Sequence, residues 1–190
     1  MSEVSLAHRF FEQWVRACHD QQSELLESWK ENKRYTSCIL EGPTSIIARI
    51  AEQLDLKSYS GGKGYYYIDA ILFTEEDQIP GTGCETWVRR IRVAFEHENN
   101  FNSGLFKEVS HLLIIDCDLR VLVTYPTSDT ALIAQLDGLR SMVNGSDRAQ
   151  VISESGSLLI IAGSRRSGVD WHGYVFARDK WIDLEAVEIR

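Results

Sequence analysis

A chain of 190 residues is long enough to bury a full core and is expected to form one domain over residues 1–190. Its 44% hydrophobic and 25% charged residues are those of an ordinary soluble globular protein, and the absence of an apolar run near 18 residues excludes a membrane-spanning helix. The formal net charge of −8 argues against a protein that holds a phosphate backbone by overall basicity, so any nucleic-acid contact must be a local basic strip. The opening Met1-Ser-Glu-Val-Ser-Leu6 lacks the basic-then-apolar layout of a secretory signal, which makes the cytoplasm the expected location. Cys18, Cys38, Cys84 and Cys117 form no Cys-x-x-Cys pair and read as free thiols rather than zinc ligands.

In chain order, Leu6, Phe10, Phe11, Trp14 and Cys18 recur at helical spacing and predict an amphipathic helix over residues 4–18. A second helix is expected over about 22–33, with Leu25, Leu26 and Trp29 on one side. These N-terminal helices, within residues 1–40, should cover a sheet. Gly42-Pro43-Thr44 reads as a helix start, and Ile46, Ile47, Ile50 and Leu54 form the inward stripe of a helix reaching about Leu56. Glu52 falls nearly opposite that stripe and reads as solvated. Ser60-Gly-Gly-Lys-Gly64 lacks the full phosphate-loop pattern and precedes a strand, so it reads as a turn.

Residues 64–73 and 87–98 are rich in aromatic and β-branched side chains and predict two strands. The loop between them carries Pro80, Gly81 and Gly83. Side chains alternate along a strand, so Ile91, Val93, Phe95 and His97 share one face and Arg92, Ala94, Glu96 and Glu98 the other. Glu96 and Glu98 then project side by side, about 6–7 Å apart. Asp69 sits in apolar surroundings, where an unpaired charge is costly. If the strands pair, three carboxylates converge, and such a cluster calls for a cation of the hard Mg²⁺ or Mn²⁺ type. Asn99-Asn-Phe-Asn-Ser103 reads as a helix cap, followed by a helix holding Leu105, Phe106, Val109 and Leu112. Asp116 and Asp118 read as turn residues before a buried strand over 119–125. A helix over 128–143, a buried strand over 157–163 and an edge hairpin near Tyr174–Phe176 and Trp181–Leu184 complete the chain. The result is an α/β domain with a mixed central β-sheet flanked by helices.

An Asp on one strand, a Glu-x-Lys on its neighbour and a helix after it form the active-site signature of the PD-(D/E)xK nuclease superfamily. Ile68-Asp69 followed by Glu96-His97-Glu98 resembles that signature over roughly residues 44–125. Ile68 stands where Pro is typical and Glu98 where Lys is typical; some type II restriction endonucleases also place an acid there. The resemblance implies a restriction endonuclease-like core at 44–125, with residues 126–190 adding a C-terminal helix and strands. It implies a Mg²⁺- or Mn²⁺-dependent endonuclease acting on DNA, with Asp69, Glu96 and Glu98 as metal ligands and catalytic groups, and possible homodimers. Glu98 cannot supply the lysine's positive charge; it would act as a general base or hold a second ion. Lys107 is a candidate replacement for the missing charge.

Arg90 and Arg92 share the even-numbered face with the acids, Arg92 about 13 Å from Glu96, and are the candidate nucleic-acid contacts. Arg165 and Arg166 are a second candidate pair. A catalytically inactive member of the same fold, serving as an interaction or regulatory protein, stands as the alternative, favoured by Glu98 and the acidic total. A glycosidase using two carboxylates ranks behind both, for want of a sugar-binding aromatic platform.

Overall fold

The computed structural model describes residues 5–61, 65–81, 86–102, 105–163 and 170–184. Cys84, Arg165 and Arg166 lie outside the described residues, as do residues 62–64 of the expected turn, 82–85 of the loop, and Ser103 of the expected helix cap.

Four helices come first. Helix α1 (Leu6–Asp20) begins at Ser5, whose hydroxyl accepts from the backbone N–H of His8, and buries Phe10, Phe11, Trp14 and Cys18. The single helix expected over 22–33 is instead two, α2 (Gln22–Ser28) and α3 (Asn32–Leu40). Only Tyr35, Ile39 and Leu40 are buried on α3, too sparse a stripe to announce a helix by periodicity. Helix α4 (Ile46–Gln53) is capped by the Ser45 hydroxyl and buries Ile46, Ile47, Ile50 and Ala51.

The strands follow as β1 (Lys57–Tyr59), β2 (Ala70–Phe73), β3 (Ile91–Glu98), β4 (Cys117–Thr124), β5 (Leu158–Gly163), β6 (Trp171–Ala177) and β7 (Lys180–Leu184). Helix α5 (Leu105–Ile114) links β3 to β4, and α6 (Asp129–Asn144) and α7 (Ala149–Ser155) link β4 to β5. All seven strands join one mixed sheet in chain order, with β3, β4 and β5 parallel and the other pairs antiparallel. The parallel pairs are those bridged by helices, as a parallel crossover requires. The α/β class is therefore as expected, and β7 forms a sheet edge.

The strand expected over 64–73 is shorter, because Tyr65 and Ile68 exchange backbone hydrogen bonds of 2.7 and 3.0 Å and close a tight turn. Tyr66 and Tyr67 sit at its tip with φ of 52° and 68°. Such a two-residue turn needs positive φ at both central positions and normally announces itself with Asn or Gly. Two tyrosines there read as strand instead. Asp118 likewise lies within β4 rather than in a turn.

Each face of the sheet carries an apolar layer. Ala70, Leu72, Val93, Phe95, Val121, Val123, Leu159 and Ile161 pack toward α1–α4. Ile71, Phe73, Ala94, Leu122, Leu158, Ile160 and Ala162 pack toward α5–α7. Arg120 is a buried charged residue on that second side, only 2% exposed. Its guanidinium donates to the carbonyls of Leu112 (3.0 Å) and Ile115 (2.6 Å), closing the C-terminal end of α5, where backbone carbonyls lack helical partners. Among the described residues no helix is long and apolar enough to cross a membrane.

Candidate metal centre

Pairing of β2 with β3 positions the acids. Ala70 lies opposite Phe95 in the antiparallel register, so Asp69, one residue before β2, falls opposite Glu96. The Asp69 carboxylate accepts a 2.8 Å hydrogen bond from the backbone N–H of His97 and a further one from the Glu96 carboxyl. Glu96 is 2% exposed. Burial, with Asp69 and Glu108 adding repulsion, pushes its carboxyl up to about 9, so at neutral pH it is protonated in the metal-free protein. Asp69 is also raised, chiefly by burial, against the lowering effect of the His97 N–H.

Helix α5 brings two further groups. Leu105, Val109, Leu112 and Leu113 fix its inner face, and Glu108 and His111, three residues apart, share one side of the helix. His111 Nδ1 lies 3.6 Å from Glu96 Oε1 and 3.7 Å from Glu108 Oε2. One donor atom from each of Glu96, Glu108 and His111 falls within 4.8 Å of the others, so these three residues could hold a metal ion. Glu96 Oε1 and His111 Nδ1 are both buried without a hydrogen-bond partner.

These groups line a cleft of about 580 Å³ that also includes Asp69, Glu98, Tyr67 and Lys107. All three acids singled out from the sequence thus border one space. Asp69 and Glu98 line the same cleft beside the Glu96–Glu108–His111 group. Glu98 is half-buried and accepts a 2.6 Å hydrogen bond from the backbone N–H of Asn100. Lys107 is largely exposed, its Nζ 3.4 Å from Glu108 Oε1. Glu52 is exposed and away from the cleft.

The arginines lie elsewhere. Arg90 donates to Asp118 at 2.8 Å. Arg92 donates twice to Asp77, at 2.7 and 3.0 Å, and once to Asp118 at 3.2 Å. Asp77 is buried and its carboxyl is held well below the usual carboxylate range, first by the Arg92 guanidinium. Neither arginine borders the cleft; side-chain alternation gives a shared face but not a shared end of the strand.

His97 points to the opposite side of the sheet from the acids. Its Nε2 lies 2.8 Å from the Tyr125 hydroxyl, which donates to the Tyr35 hydroxyl at 3.1 Å. Burial drives its imidazole down to about 3, so it is neutral and serves the site through its backbone N–H.

Glu108 and His111 were not singled out from the sequence. The signal is the spacing Glu108-Val-Ser-His111 on the helix after the acidic strand, since residues three apart share a helix face.

No protein-family model matches this sequence, and no curated protein or solved structure compared with it matches either.

Proposed function

We propose that the chain is a divalent-metal-dependent endonuclease, hydrolysing DNA phosphodiester bonds with Mg²⁺ or Mn²⁺. The observation that carries this reading is Glu96 Oε1, a buried acceptor without a partner, opening on a cleft where Asp69, Glu108 and His111 also meet. Oxygen left bare in that setting is costly unless a cation completes it. The supporting arrangement is an acid beside one strand, two acids on the adjacent strand, and a helix after them, the order expected of the nuclease resemblance.

Asp69 and Glu96 would hold the ion, which supplies charge neutralisation at the phosphoryl oxygens and a bound water of lowered pKa. The chain's own groups do the rest. The His97 N–H fixes Asp69. Glu98, which lines the cleft, would take a proton from a water. Lys107 offers the positive charge that Glu98 cannot.

The test is cleavage of plasmid and single-stranded DNA by purified protein with EDTA, Mg²⁺ or Mn²⁺. Cutting is expected only with the metals, and Asp69→Asn or Glu96→Gln should abolish it while Glu52→Ala retains it. Equal cutting by both acid variants ends the proposal. The engagement of Arg90 and Arg92 with Asp77 and Asp118 favours one second reading, a metal-binding interaction protein that does not cut. Metal binding without cleavage would select it.

A further inference from the structure

We infer that Glu96, Glu108 and His111 form a nitrogen-bearing centre that selects a first-row transition-metal dication, of the Mn²⁺, Co²⁺ or Zn²⁺ class, over Mg²⁺. The inference deepens the metal reading above and rests on it only in requiring that the cleft bind a cation.

Three observations converge. First, the donors come from two different elements, one on β3 and two on α5, and their approach is fixed by the buried residues that dock the helix on the strand. Second, two of the three donor atoms, Glu96 Oε1 and His111 Nδ1, are buried with no hydrogen-bond partner, and Glu96 as a whole is 2% exposed. Third, the separations of 3.6 and 3.7 Å from His111 Nδ1 to the two carboxylates are too long for hydrogen bonds, since a charge-assisted N–H···O contact closes to about 2.7–2.9 Å. They lie near the roughly 3.0–3.5 Å that separates neighbouring donors on a coordination shell of about 2.1 Å radius.

Donor chemistry then sets the ion. Mg²⁺ takes oxygen ligands and retains several waters, so an imidazole in place of an oxygen gains it little. Imidazole favours the later first-row ions, whose affinities rise from Mn²⁺ toward Cu²⁺. Two carboxylates and one imidazole hold such an ion with positions left open toward the cleft. The neighbouring pair of Asp69 and Glu96 contributes oxygen alone, so it does not by itself discriminate in this way.

The experiment uses the metal-stripped full chain and the ions alone. Titration calorimetry with Mn²⁺, Co²⁺ and Mg²⁺ is expected to give tighter binding of Mn²⁺ and Co²⁺ than of Mg²⁺ by at least about tenfold. His111→Gln should narrow that ratio by about tenfold or more, and Glu108→Gln should weaken Co²⁺ binding. Pulsed electron paramagnetic resonance of Mn²⁺ on the unaltered protein should show coupling to a ligand nitrogen, which His111→Gln removes. Bound Mn²⁺ without nitrogen coupling overturns the inference, as does a metal preference unchanged in His111→Gln. The spectrum of the unaltered chain decides the matter even if a variant misfolds. Nitrogen-coupled Mn²⁺ with no DNA cleavage leaves this inference standing and removes the nuclease reading. Cleavage supported equally by Mg²⁺ and Mn²⁺, with no nitrogen coupling, does the reverse. Failure of every ion to bind overturns both.

Discussion

Replacing Glu96 by Gln should make the metal-free protein more stable, and the gain should grow with pH. In the folded chain burial and Asp69 raise this carboxyl from the ordinary 4.5 to about 9. A raised acid adds no penalty below its unfolded pKa, where both states hold the proton. As pH climbs from 4.5 toward 9, the unfolded chain releases that proton and the folded chain does not, so stability falls by up to about 1.4 kcal/mol per pH unit. At pH 7 the cost reaches roughly 3 kcal/mol. Gln is neutral at every pH and can donate from its amide to Asp69, though its oxygen inherits the unpartnered place of Glu96 Oε1. The net gain at pH 7 is therefore expected to be about 1–3 kcal/mol, or about 3–10 °C in Tm. At pH 5 it should shrink below about 1 kcal/mol. Thermal and urea melts in EDTA at pH 5, 7 and 8.5 measure this. A Glu96→Gln protein no more stable than its parent at pH 8.5, or a difference that does not change with pH, would refute the argument. Mn²⁺ should reverse the order, since an ion at one hundred times its Kd adds about 2.7 kcal/mol to a chain that binds it, and the Gln variant should gain far less.

Three further outcomes follow from the packing. Arg92→Met removes three hydrogen bonds and leaves the buried Asp77 without its cation, at an expected cost of about 1–3 kcal/mol by urea denaturation at pH 7. Because Asp77 titrates well below its ordinary 3.8, its contribution is present above about pH 4 and lost as pH falls further; the variant should show a flatter acid limb. Arg120→Met removes the guanidinium donors to the carbonyls of Leu112 and Ile115 and should cost about 2–4 kcal/mol, with hydrogen exchange rising at the end of α5. Gly163→Ala places a methyl 2.5 Å from Trp171 Cζ3 and 2.9 Å from Tyr125 Cε1, an overpacking of about 1–3 kcal/mol, read in the melt and in tryptophan fluorescence.

The fold is legible in the sequence wherever a period is dense. Phe10, Phe11, Trp14 and Cys18 announce α1, and the continuous apolar runs of β4 and β5 announce buried parallel strands. Sparse patterns do not carry: α3 rests on Tyr35, Ile39 and Leu40, α7 buries only Ile152 and Ser153, and β1 is three residues long. At the site, alternation suffices to place Glu96 and Glu98 on one face, and aromatic composition suffices to suggest pairing with the segment holding Asp69. The missing half, Glu108 and His111, depends on which turn of α5 docks on β3, a tertiary fact set by Leu105, Val109 and Leu112. Arg92 shows the converse limit. Its face was readable, but its partners Asp77 and Asp118 lie 15 residues before and 26 residues after it, and only the folded sheet assembles them.

Strand neighbours in chain order have a consequence for biosynthesis. A chain leaving the ribosome from its N-terminus can lay each strand against an edge already formed, from β1 through β7, without reopening an earlier pair. Among the described residues, those bordering the acidic cleft lie between Tyr67 and His111. The centre is thus encoded in one contiguous quarter of the chain, ahead of β4 through β7 in the order of synthesis.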